Sequence, residues 1–182
     1  MRIKRISLDE MNAEQKAVHD ANVASKRGRM PAPVYAWIHS PEMAKHLQPL
    51  GGFLRFDSVL GARLSEIAIL VTARHWTAHF EWYAHKKLGL EAGLDPKIIA
   101  DIAARRAPDF SGDPKGQVVH DVSKALHEEH RVPQPLYDKA IATLGEKGLV
   151  ELIGLLGYYC LVSMTLNTFE FDLPEGEVSD LA

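Results

Sequence analysis

Three short strings, Ser40-Pro41, Asp95-Pro96 and Asp113-Pro114, constrain the fold more than any other feature of the chain. In each, a side-chain oxygen able to accept an orphan amide hydrogen bond precedes a proline, which loses nothing at the first helical position. Each pair reads as a helix start, and Gly89, Gly93 and Gly145 supply helix ends. Between these marks the spacing predicts helices over residues 8–24, 41–57, 62–89, 96–105, 114–130, 135–144 and 146–168. No run alternates convincingly with period two, and few Val, Ile or Thr residues cluster outside the helical pattern. The expected class is all-α. A chain of 182 residues suits one domain with a substantial core.

Within that domain, residues 1–40 read as an N-terminal extension of helix and loop, residues 62–168 as the core, and residues 170–182 as an acidic tail. The stretch "SKRGRMPAPV", residues 25–34, contains Gly28, Pro31 and Pro33 and must be a loop. It reads as a plain connector, or as the mouth of a pocket, since loops on a rigid scaffold often carry function. The tail "EFDLPEGEVSDLA" is expected to be loose or laid over a partner.

A net charge of -3 and a pI near 6.3 give no electrostatic case for nucleic acid. The pair Arg105-Arg106 reads as a solvated helix end. The single cysteine, Cys160, excludes an internal disulfide, a CxxC redox pair and a thiolate metal cluster, and fits a reducing compartment, the cytoplasm. The N-terminus has basic residues but no apolar stretch behind them, so no signal peptide is expected. The run "VELIGLLGYYCLVSMTL", residues 150–166, is short for a membrane span and carries Glu151. It reads as a core or oligomer helix, with no membrane partner. Apolar residues cover most of its circumference, and Gly154 and Gly157 would permit close helix approach, so a homo-oligomer is expected.

The chemistry concentrates in "RHWTAHFEWYAH", residues 74–85, which holds three of the nine histidines. On one straight helix Glu66, Arg74, Thr77, Ala78, Glu81 and His85 would share a broad face, with His75 and His79 on another. His75 and His79, one turn apart, could share a metal. Trp76 stands where a zinc-protease pattern needs glutamate, and no third ligand is obvious on that face. "HEEH", residues 127–130, fits no metalloenzyme signature. Glu81 and His85, also one turn apart, could form a proton-transfer pair in which the carboxylate fixes the tautomer and raises the imidazole pKa. They could equally be an ordinary surface pair. Glu66 could join them only if the helix broke near His75–Thr77, with Thr77 as the new N-cap. Along a straight helix it would lie about 22 Å from Glu81. No Gly or Pro forces such a break, so this point stays open.

The string "LSEIAILVTARHWTAHFEWYAH" resembles the core of the carboxymuconolactone decarboxylase family, which includes the alkylhydroperoxidase D-like proteins. "GRMPAPVYAWIHSPEMA" resembles the upstream segment of its longer members, and "GLVELIGLLGYYCLVSMTLNTFE" their closing helix. The resemblance implies an alkylhydroperoxidase D-like helical bundle, a homo-oligomer and a cofactor-free site. It implies Glu66 and His85 as catalytic residues brought together by a broken helix, with Glu81 beside them. Where the alkylhydroperoxidase branch places the thiols of CxxC, this chain has Ala78 and Glu81, so disulfide-based peroxidase chemistry is not expected. The decarboxylase branch implies a small carboxylated lactone or ring compound as substrate, protonated at carbon by His85. Arg74 or Arg29 would pair with a substrate carboxylate, and Trp76, Trp82 and Tyr83 would wall the pocket. Two other readings stand beside this one: a non-catalytic binding or assembly protein on the same scaffold, and a metal-dependent enzyme using His75 and His79.

Overall fold

The segment "LSEIAILVTA", residues 64–73, has no continuous polar face, so a helix built from it must be enclosed. In the computed structural model, which describes residues 1–181, all ten of these residues are buried within α4 (Gly61–His75). Around it lie α1 (Ala13–Ala24), α2 (Val34–Trp37), α3 (Pro41–Phe56), α5 (His79–Glu91), α6 (Pro96–Ala103), α7 (Pro114–Glu128) and α8 (Gln134–Thr168). The fold is all-α, with no strand among the described residues. α4 packs against α3, α5, α6, α7 and α8, while α1 lies on α3. Ile67, Leu70, Val118, Val122 and Leu152, all inaccessible to solvent, form the centre of the core.

Two of the three proline-marked starts are capped as their sequence suggests. Asp95 accepts from the Lys97 amide and Asp113 from the Gly116 amide. Asp113 also takes both arms of the Arg63 guanidinium, at 2.5 and 3.0 Å, which ties α7 to the start of α4. Ser40 precedes α3 but makes no side-chain cap. α1 starts later than its composition suggests, because Asn12 and Gln15 form a reciprocal capping box there. Gly145, at φ 72°, kinks α8 and separates its two expected halves. α8 meets the length and composition of a membrane span, yet 61% of its most apolar window is buried inside the fold. Its Glu151 is buried too, accepting hydrogen bonds from Ser58 Oγ (2.7 Å) and the Val59 amide (2.8 Å). Val150, Ile153 and Met164 form an exposed apolar stripe on the outer side of this helix.

The expected 62–89 helix does break, at Trp76–Ala78. The Ala78 amide donates to the Ala73 carbonyl (2.8 Å) and the Thr77 amide to the Arg74 carbonyl (3.2 Å). This is the double closure that normally uses glycine in a left-handed conformation. Here Thr77 supplies it, at φ 46°, a conformation that costs a side-chain-bearing residue about 1–2 kcal/mol. Thr77 is therefore not the N-cap of α5. Ala78 holds that position, without a side-chain cap, and the Thr77 hydroxyl instead accepts from Arg74 at 3.3 Å.

The tail is not loose at its end. Phe171 packs edge-on against Phe80 of α5. Asp180 accepts from Trp82 Nε1 (3.2 Å) and Lys86 Nζ (2.6 Å), and Leu181 is buried. Residue 182 lies outside the described residues.

Candidate active site

The reversal at Trp76–Ala78 lays the start of α5 back along α4, and so solves the distance problem that a straight helix poses for Glu66. Glu66 comes from the buried stretch of α4, while Glu81 and His85 sit one turn apart on α5. His85 Nδ1 lies 2.6 Å from Glu66 Oε2, and Nε2 lies 2.9 Å from Glu81 Oε1. All three side chains are only 5–6% exposed.

An ionised carboxylate only accepts hydrogen bonds, so a ring facing one at each nitrogen must donate from both. Only the imidazolium form does so. Burial alone would push the His85 pKa down, but the charges of Glu66 and then Glu81, with their hydrogen bonds, override it and hold the imidazole up at about 9. The Tyr159 ring meets His85 edge-on at 5.1 Å between centroids, completing the enclosure.

Beside this triad lies a cavity of about 630 Å³. That volume is within the range of small-molecule sites. Glu81 and His85 are on its wall, and Glu66 stands behind them. Arg29 and Tyr83, both named from sequence, line it as well. The 25–34 loop is thus part of a pocket wall rather than a plain connector, contributing Arg27, Arg29, Pro31 and Pro33.

Other expected site residues lie elsewhere. Arg74 lines a separate, smaller cavity of about 60 Å³ at the far end of α4, together with His75, Arg105 and His127. Trp82 is 1% exposed and turns its indole to Asp180, and Trp76 caps α4, its carbonyl accepting from Asn167. None of these three borders the cavity at His85. His75 and His79 fall on different helices, so the stacked i,i+4 geometry that a shared metal needs does not form. His75 stacks instead on His127, at 4.6 Å. Among the described residues no group of three His, Cys, Asp or Glu side chains is arranged to hold a metal. Cys160 is half-buried and away from the cavity, and burial pushes its thiol up, away from thiolate reactivity.

Several cavity residues escaped the sequence reading. Tyr158 and Tyr159 come from the buried side of α8, which showed only as an apolar run. Asn22 and Arg55 sit on helices whose polar residues look like solvated faces, and only packing reveals that they turn inward. Comparison with protein-family models and with curated proteins returns no match.

Proposed function

We propose that the protein is a cofactor-independent acid–base enzyme acting on a small carboxylated lactone or ring compound. In this reading it is a carboxy-lyase on an alkylhydroperoxidase D-like bundle, as the sequence resemblance suggests. One observation carries it: a buried His85 held between two carboxylates, at 2.6 and 2.9 Å, at the wall of a cavity large enough for such a substrate. A side-chain-filled pocket would have favoured a purely structural scaffold, and the volume beside His85 speaks against that.

The cavity lining supports the following roles. Arg29 pairs with a substrate carboxylate and Tyr83 packs against the ring. The bond to the departing carboxylate breaks, its electron pair spreads through the unsaturated lactone as a dienolate, and CO2 leaves. His85 Nε2 passes its proton to Glu81, whose carboxyl group delivers it to carbon. Glu66 holds Nδ1 and keeps the ring charged between turnovers. Solvent restores the proton to His85. The exposed Val150, Ile153 and Met164 stripe supports assembly with further copies of the chain.

The test is CO2 release from 4-carboxymuconolactone by the wild-type chain and by His85→Gln. Positioned acid–base groups typically contribute about 100- to 10,000-fold, so His85→Gln is expected to lose at least the lower figure while circular dichroism stays unchanged. A wild-type protein inert toward this substrate, or a variant with normal rates, removes the proposal.

A further inference from the structure

The cavity has a second chemical character that the triad does not use. Its wall from α1, the following loop and α3 carries Arg27, Arg29 and Arg55. Among the described residues none of these three is in an ion pair, although neighbouring Lys26 is taken by Asp57 at 2.5 Å. Arg27 is held in place, donating from Nη2 to the Gly51 carbonyl at 2.9 Å. Gly51 makes that approach possible. A Cβ at this position would stand 2.2 Å from Tyr158 Oη and 3.1 Å from Arg27 Nη2. One donor of the guanidinium fork is thus used to fix it, and a carboxylate is the partner suited to the others.

Asn22 stands on the same wall and is 1% exposed. Its Nδ2 donates to the Val18 carbonyl at 2.9 Å, which settles the orientation of the amide. The Oδ1 atom is then a buried acceptor without a partner among the described residues. Such atoms are uncommon in folded proteins, and the residue that carries this one belongs to the cavity lining, where a ligand's donor is the partner it lacks.

Tyr158 links the two ends of the cavity. Burial pushes its hydroxyl up to about 12, with the Arg27 charge pulling it down and that of Glu81 pushing it further up. It therefore lies within the field of both the cationic wall and the triad.

We propose that α1, its following loop and α3 form a recognition subsite for an organic anion that also bears a hydroxyl or N–H donor. Arg27 and Arg55 take the carboxylate, and Asn22 is the specificity-determining acceptor. The subsite rests on the reading that this cavity takes a small molecule, and on no particular reaction.

Calorimetric titration of the full chain with benzoate and its three monohydroxy derivatives tests it. At least one hydroxybenzoate is expected to bind about tenfold more tightly than benzoate, as one well-placed hydrogen bond would give. Asn22→Leu removes that preference and leaves benzoate affinity unchanged, with Asn22→Ala as the substitute if the leucine variant fails to fold. The double variant Arg27→Gln/Arg55→Gln weakens all four acids about tenfold or more. Binding by the wild-type chain is read without turnover, so failure of the subsite and failure of the CO2-release chemistry are told apart. The proposal is overturned if no acid binds at millimolar concentration, if wild type shows no hydroxyl preference, if the preference survives in both Asn22 variants, or if affinity ignores the arginine replacements.

Discussion

His85 is buried and His127 half-buried, and their surroundings shift the two imidazoles in opposite directions. Burial pushes each imidazole toward neutrality. Around His85, Glu66 and Glu81 reverse that push and hold the pKa at about 9. Around His127 no carboxylate intervenes, and the charge of His75 adds to burial, taking it down to about 4. The hydrogen-bond pattern agrees. The Thr72 hydroxyl donates its one proton to the Ala68 carbonyl, so at 2.9 Å it can only accept from His127 Nε2. That places a proton on Nε2, which leaves Nδ1 bare once burial has made the ring neutral. The cavities differ in the same sense: about 60 Å³ beside His127, room for a water or two, against about 630 Å³ beside His85. One residue type has its pKa raised or lowered according to which groups the surrounding helices set beside it.

The sharpest way to break the contrast is to remove the clamp on His85. Its folded pKa lies above the unfolded value of 6.5, so its contribution is complete below pH 6.5 and is lost as pH rises toward 9. At about 1.4 kcal/mol per pKa unit, wild-type stability is expected to fall on the order of 3 kcal/mol across that window. In Glu66→Gln the fall should largely vanish and the His85 ring signal should titrate at markedly lower pH. Denaturant melts at successive pH values and NMR titration check both. A flat wild-type profile would show that the imidazolium is not clamped.

An effect of opposite sign is expected at His127, smaller because that ring is only half-buried and solvent screens its charge. Its folded pKa is depressed, so its contribution is present above pH 6.5 and is lost as pH falls toward 4. His127→Gln, which keeps a donor for Thr72, should remove this acid-side loss and leave the alkaline one intact. If the variant alters the alkaline limb instead, the two histidines are not independent.

The smallest effect concerns the corner that separates the two neighbourhoods. Thr77→Gly replaces a strained left-handed threonine with the residue that this turn favours, and should stabilise the protein by about 1 kcal/mol in thermal melts. A destabilised Thr77→Gly would mean that the Arg74 contact to the threonine hydroxyl outweighs the strain.

Part of this was legible in the chain alone. Capping chemistry is local, so Asp95, Asp113 and the prolines announced their helices correctly, and Gly145 its kink. The i,i+4 spacing of Glu81 and His85 is also local, and it survives in α5. The HxxxH spacing of His75 and His79 misled, because it presumes a continuous helix and the chain turns between them. Thr77 gave no warning of that turn, since its strain is repaid only by the packing of α4 against α5.

The sequence by itself determined an all-helical chain, its main helix boundaries, the absence of thiols from the site and the candidate acid–base pair. Those properties depend on neighbours within a turn or two, or on which atoms exist at all. Only the tertiary structure decided that Glu66 reaches His85 across the chain reversal, that Arg74, Trp76 and Trp82 face away, and that Asn22, Arg27 and Arg55 turn inward. A residue's orientation on a helix is fixed by periodicity, but what it meets there is set by how separate helices pack, and that spacing is not written in any local run.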